Sequence, residues 1–146
     1  MAKAEAPNVG QIVLHQFLWA DEQASGRTEG AKARPCIVIA VESLGGGHGP
    51  RVTVLPITSQ SPRSGTTAIK IPDALKTRIG LDPAQPGWVV VDNANVFTWP
   101  GFDLVPSSDD AFIRESITSG FFQQIVNAVL AVHSRGQLRR TDRDDK

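Results

Sequence analysis

Arg34, the run Thr58-Ser59-Gln60 and the pair Asp92-Asn93 are where residues able to do chemistry are concentrated, each at one end of an apolar run. Arginine offers a planar fork of permanent charge that matches the oxygens of a phosphate. Hydroxyls and amides hydrogen-bond the same group, and a carboxylate can take up a proton. Together these parts suit phosphodiester chemistry without a metal. The same residues fit a plain structural reading equally well, with Arg34 and Asp92 as an ion pair and Thr58 as a cap at a strand end. No ordering of nucleophile and base stands out, because His15, His48 and His133 fall in a strand, a glycine loop and a helix end. His15 is read as a surface or hydrogen-bonded strand residue, and His133 as a partner of a helix dipole. Cys36 is the single cysteine; it leaves no internal disulfide and no thiolate metal cluster, and is read as a small buried hydrophobe.

Short strands must position these groups. Residues 32–41 and 51–58 are rich in Val and Ile and bounded by Pro, Gly and Ser, the pattern of buried strands. Paired antiparallel across the glycine loop at 45–49, the start of one lies beside the end of the other, so that Arg34 shares a rim with Thr58, Ser59 and Gln60. Pro35 restricts Arg34 to extended backbone and fixes the direction of its side chain. The glycine loop lacks the ending of a P-loop and is read as a hairpin turn. Residues 11–19 form a first strand with Ile12, Leu14, Phe17 and Trp19 inward, and residues 66–71, 88–93, 95–99 and 102–105 further short strands. A helical turn starts at Asp73 and ends by Gly80.

From residue 106 the pattern turns helical. Pro106-Ser107-Ser108-Asp109-Asp110 can accept the free amides of a first turn, Phe112, Ile113 and Ile117 make a short amphipathic piece, and Gly120 interrupts it. The main helix covers 121–133, with Phe122, Ile125, Val126, Val129 and Leu130 at helical spacing. Residues 1–8 are expected to be a flexible lead-in, 9–134 a single domain and 135–146 a charged, disordered tail. The fold class expected is mainly β with a C-terminal helix: a small, strongly bent barrel or sheet of antiparallel strands.

The 146 residues carry 15 Lys and Arg against 15 Asp and Glu, a balance that says nothing for nucleic acid by itself. Residues 26–78 hold eight basic and three acidic residues, a net of +5, which leaves −5 for the remainder. Such asymmetry fits a basic face meeting an anionic partner, and equally an ordinary mixed surface. No apolar run approaches the roughly 18 residues that span a bilayer, and no signal-peptide core is present. A cytoplasmic location without membrane contact is expected.

Gly10-Gln11-Ile12-Val13, Arg34-Pro35 followed by Ile37-Val38-Ile39, the run from Val54 to Gln60, and Asp92-Asn93 with Trp99 resemble, in their order and spacing, the MazF/PemK toxins of bacterial type II toxin-antitoxin modules. The resemblance spans roughly residues 8–132. It implies an SH3-like barrel and a homodimer. The implied activity is a metal-independent endoribonuclease with no cofactor, cleaving single-stranded RNA by attack of the 2′-hydroxyl to leave a 2′,3′-cyclic phosphate. It further implies a cognate antitoxin protein as partner. Arg34 matches the family's catalytic arginine, Thr58 its strand-ending threonine, and Asp92 the aspartate used as base in the PemK branch. Thr28 and Glu29 resemble the Ser-Glu pair of the loop before the arginine. RNA contacts are expected from Thr28, Glu29, Lys32, Ser59, Gln60 and Asn93. Trp19 and Trp99 are read as core residues, with base stacking as the alternative. Gly30, Val90 and Asn95 depart from the pattern, the last two replacing basic residues. The competing expectation is a non-catalytic binding module on the same barrel, of the kind that acts through protein contacts as gyrase-targeting toxins do.

Overall fold

The computed structural model of the protein describes residues 6–20, 33–46, 49–62, 64–99, 104–105 and 113–143. Among these, nine strands form one sheet: β1 (Gln11–Gln16), β2 (Ala33–Glu42), β3 (Arg51–Thr58), β4 (Ala68–Lys70), β5 (Trp88–Val90), β6 (Asn93–Thr98), β7 (Leu104–Val105), β8 (Ile113–Ser116) and β9 (Arg139–Asp142). Two helices, α1 (Asp73–Arg78) and α2 (Ser119–Ser134), complete the described chain. The architecture is the expected mainly antiparallel β-sheet with a C-terminal helix, its strands ordered β4-β5-β3-β2-β1-β7, with β6 also on β3, β8 on β1 and β9 on β6.

β3 is the hub. One edge pairs with β2, while the other pairs first with β6 and then with β5. Val54 faces Asn95 and Ile57 faces Val89, so three residues along β3 oppose six along the other chain. The excess bulges at Val91-Asp92, where the pairing breaks and the sheet bends. Two hydrogen bonds hold this corner: Thr67 N–H donates to Asp92 Oδ2 at 2.9 Å, and Val91 N–H donates to Thr67 O at 3.0 Å.

Both faces of the central strands are buried. Ile12, Ile37, Leu55, Ile57 and Val89 pack against Phe121, Ile125 and Val132 of α2 and Leu75 of α1. Val13, Cys36, Val38, Val52 and Val54 form a second core with Phe17, Phe97 and Trp99. Each such side chain taken fully out of water contributes roughly 1.5–3 kcal/mol. This double burial explains why β2 and β3 read as continuous apolar runs.

Two expectations need correction. The piece read as helical around Ile113 and Ile117 is not so: Ile113–Ser116 is an edge strand, pairing with β1 at Gln11↔Ser116 and Val13↔Ile113, while Phe112 and the first turn expected at 106–110 lie outside the described residues. With β2 on only one side, β1 has a second row of backbone groups to satisfy, and β7 and β8 fill it. Gly120 does not interrupt a helix but lies in the first turn of α2, which starts from the Thr118 cap, whose Oγ1 accepts from Phe121 N–H at 3.4 Å.

The tail reading changes as well. Gly136, at φ +69°, adopts the left-handed conformation that ends helices. Its N–H donates to His133 O at 2.9 Å and that of Gln137 to Val132 O at 3.0 Å. Leu138 then returns to the α2 side of the core, and residues 139–142 form β9, parallel to β6. Residues 1–5 and 144–146 lie outside the described residues.

Beyond β1 the chain leaves the sheet but stays pinned. Asn95, fully buried, accepts Leu18 N–H at Oδ1 (2.9 Å) and donates from Nδ2 to Leu18 O (2.7 Å). The same Oδ1 meets His15 Nε2 at 3.0 Å; since this oxygen only accepts, Nε2 carries the proton. His15 is thus the hydrogen-bonded strand histidine, completely buried and stacked on Phe97 at 4.9 Å. Asn93 Oδ1 accepts Ala20 N–H at 3.0 Å.

Replacing Asn95 by Leu removes a buried hydrogen-bond partner from Leu18 N–H, Leu18 C=O and His15 Nε2 at once, and is expected to cost about 2–4 kcal/mol in urea unfolding. At Gly49 a Cβ would collide with the Trp99 carbonyl oxygen where the hairpin closes on β6. Gly49→Ala is expected to lower stability by about 1–3 kcal/mol in the same measurement.

Candidate functional site

The β2–β3 register builds the site. Cys36 pairs with Pro56, Ile37 with Leu55 and Val38 with Val54; continued by two residues, the same ladder sets Arg34 opposite Thr58. On its other side Arg34 faces His15 of β1. Its guanidinium lies over the Trp19 ring, 5.5 Å from the centroid, a cation–π contact that limits the fork's freedom. Trp19 in turn packs edge-on against Phe17 at 5.2 Å and sits in the segment pinned by Asn93 and Asn95.

Thr58 Oγ1 accepts Gln60 N–H at 3.2 Å. A hydroxyl used this way at its oxygen still has a proton to donate outward. Among the described residues no carboxylate pairs with Arg34, and it lines the same surface clefts as Thr58.

Arg34 and Thr58 form a ridge between two clefts, lining both. The first, about 360 Å³, is also lined by Trp19, Gln60, Thr66, Val90, Asn93 and Arg139. Its described lining includes two arginines and no carboxylate. The second, about 230 Å³, runs between Ser59 and the turn at 81–87. Buried Lys76 holds that turn, donating from Nζ to Gln85 O at 2.8 Å and to Pro83 O at 3.3 Å, with Asp73 Oδ1 at 3.1 Å. The hydrogen bond from Lys76, followed by its charge, holds the Asp73 carboxyl below its ordinary range. Asp82 accepts Ala84 N–H at 2.9 Å, tightening the same turn.

Of the residues expected at the site, the structure brings together Arg34, Thr58, Gln60 and Asn93 at the first cleft and adds Ser59 at the second. Asp92 is not among them. Its side chain is only 4% exposed, Oδ2 is taken by Thr67 N–H, and Oδ1 has no hydrogen-bond partner among the described residues. Neither does it pair with Arg34, so the ion-pair reading fails too, while Thr58 does cap its strand end. Thr28, Glu29 and Lys32 lie outside the described residues. Trp99 packs in the core on Phe97, as read, whereas Trp19 reaches the cleft.

Arg139 and Thr66 also line the first cleft, and neither is marked by a motif in the sequence. Thr66 stands next to a recognisable strand, but Arg139 sits in a charged run with no apolar period to announce a strand. Cys36 is fully buried, and burial pushes its thiol far up, the charge of Arg34 offsetting only part of the effect; it is not a nucleophile. Among the described residues no three His, Cys, Asp or Glu side chains stand together to hold a metal ion, and no helix is long and apolar enough to cross a membrane.

A family model described as PemK-like, MazF-like toxin of type II toxin-antitoxin system matches residues 8–98, the stretch that contains β1 to β6 and the whole Arg34–Thr58 ridge. No match was found among curated proteins or among solved structures. The match covers well over half of the 146 residues, and the chain belongs to the PemK-like, MazF-like toxins of type II toxin-antitoxin systems.

Proposed function

We propose that the protein is an endoribonuclease toxin that cuts single-stranded RNA at the Arg34–Thr58 ridge without a metal. The observation that carries the reading is the outward-facing pair itself: a guanidinium steadied on an indole, opposite a hydroxyl with a proton to donate, and flanked by a cleft on each side. An RNA strand crossing the ridge would set one phosphate on it and the neighbouring nucleosides in the two clefts. Unstacked bases find amides at Gln60 and Asn93 beside the stacked Arg34 and Trp19 pair, the kind of contacts by which single-stranded RNA is read.

In this reaction the 2′-oxygen loses its proton and bonds to phosphorus, the bond to the 5′-oxygen breaks, and that oxygen takes a proton. The products are a 2′,3′-cyclic phosphate and a 5′-hydroxyl. Charge builds on the non-bridging oxygens of the five-coordinate phosphorus. Arg34 meets that charge, and Thr58 donates to one of those oxygens. Such preorganised donors are worth about 3–4 kcal/mol each to the transition state. Asp92, turned to Thr67 at the corner of the sheet and absent from the lining of both clefts, is not assigned the role of base in this reading.

As a member of a toxin-antitoxin family, the protein has an antitoxin as its natural partner, and an anionic segment laid over the Arg34 cleft would block RNA from the ridge. A homodimer is part of the same proposal, tested by sedimentation of the purified chain. Val90, an apolar residue in the cleft where the family resemblance places arginine, favours a second reading: a binding module acting through protein contacts.

Cleavage of a long single-stranded RNA in EDTA separates the two. Wild-type protein is expected to cut and leave cyclic phosphate ends, and Arg34→Ala to lose at least about 10²-fold in rate; a wild type that cuts no RNA, or an Arg34→Ala as active as wild type, defeats the ribonuclease reading. Asp92→Asn keeps an oxygen for Thr67 N–H and is expected to stay within about tenfold of wild type. A loss of 10²–10⁴-fold with an altered pH profile would instead mark Asp92 as the general base.

A further inference from the structure

The part of the chain beyond the family match contributes a residue to the cleft. The parallel register sets Arg139 beside Asn93, Arg140 beside Ala94, Asn95 beside Thr141 and Val96 beside Asp142. Residues in register on parallel neighbours share a face. Asn93 and Asn95 look toward the segment that carries Trp19, and Thr141 and Arg143, only 1% and 3% exposed, continue the same face of β9. Arg140 and Asp142 take the opposite face, where Asp142 pairs with Arg51 at 2.8 Å. Main-chain bonds fix the strand at both ends, from Arg139 N–H to Asp92 O at 3.0 Å and from Arg143 N–H to Val96 O at 2.7 Å. Arg139 is therefore the β9 residue on this face that reaches the cleft, beside its ladder partner Asn93 and with Arg34, Thr58 and Trp19 in the same lining.

We propose that Arg139 is a second phosphate-binding residue, one that holds the backbone of the bound RNA on the Trp19 side of the scissile phosphate. This inference rests on the ribonuclease reading above. It assigns the cleft a second fixed charge from a strand at the far end of the domain, in a lining where Val90 supplies none. A guanidinium there neutralises one phosphate, and each phosphate neutralised by a protein adds about 0.7 to the salt slope of single-strand binding. Arg139 does not touch the reacting atoms in this arrangement, so its loss acts on binding, raising KM with kcat little changed.

The test uses the full chain and a short, mixed-sequence, fluorescently labelled single-stranded RNA. Binding is titrated over a range of salt in the Arg34→Ala background, with cleavage measured in the Arg34 protein. Arg139→Gln is expected to weaken binding about tenfold, to lower the salt slope by about 0.7, and to raise KM without a comparable fall in kcat. Arg139→Lys should recover most of the affinity, which a purely structural role for the planar fork would not allow, and Arg140→Ala should match its parent. Thermal unfolding of each variant checks that β9 remains in place. If Arg139→Gln binds with the affinity and slope of Arg140→Ala while wild type still cuts, the inference falls and the ribonuclease reading stands. If the wild type neither binds nor cuts RNA, both fall.

Discussion

The ladder between β2 and β3 is bracketed by charge at both ends, and everything at the site depends on its register. Arg34 and Thr58 close one end, Glu42 faces Arg51 at the other, and Val38, Val54, Ile37 and Leu55 fill the middle. Sliding the strands by two residues would drive a charged side chain into the apolar middle, at a cost of several kcal/mol. Sliding them by one would exchange the two core faces, which meet different partners. The extra residue near Ile39 absorbs the mismatch between the two halves of the ladder, so the Arg34 end keeps its register whatever twist the hairpin end requires.

A second tier of constraint starts at Asn95. Its amide closes both hydrogen-bonding positions of Leu18, which keeps the chain after β1 against the barrel wall without a strand to hold it. Trp19 inherits that placement, and Arg34 rests on Trp19. The substitution of asparagine where related toxins carry a basic residue is thus no mere loss. A fully buried position flanked by a buried histidine and a backbone turn would leave a cation there unsolvated, and an amide, able to donate and accept at once, meets the geometry.

How much of this was legible in the sequence follows from how local each feature is. β2, β3, their hairpin and the Arg34–Thr58 rim could be read because two apolar runs with polar ends lie next to each other in the chain. Asp92 looked available because a carboxylate at a strand exit usually meets water; the bulge that turns it toward Thr67 arises from a three-residue excess between β3 and its partners, which no local pattern records. β8 looked helical because Phe112, Ile113 and Ile117 suit either period over so short a span. β9 is hidden for a stronger reason: its buried position is a threonine, the buried residue just past it is Arg143, and its partner β6 is far away in sequence. Arg139 is hidden with it.

Cys36 sits in the middle of β2, paired with Val13 on one side and Pro56 on the other. Its thiol is sealed from solvent and held protonated, and it is the only sulfhydryl in the chain. An alkylating reagent can reach it only when the central strands part, since thiolate formation and access are both denied while they are closed. Its modification rate is therefore a clock for the opening of the barrel, ticking inside the same strand that presents Arg34 to the solvent.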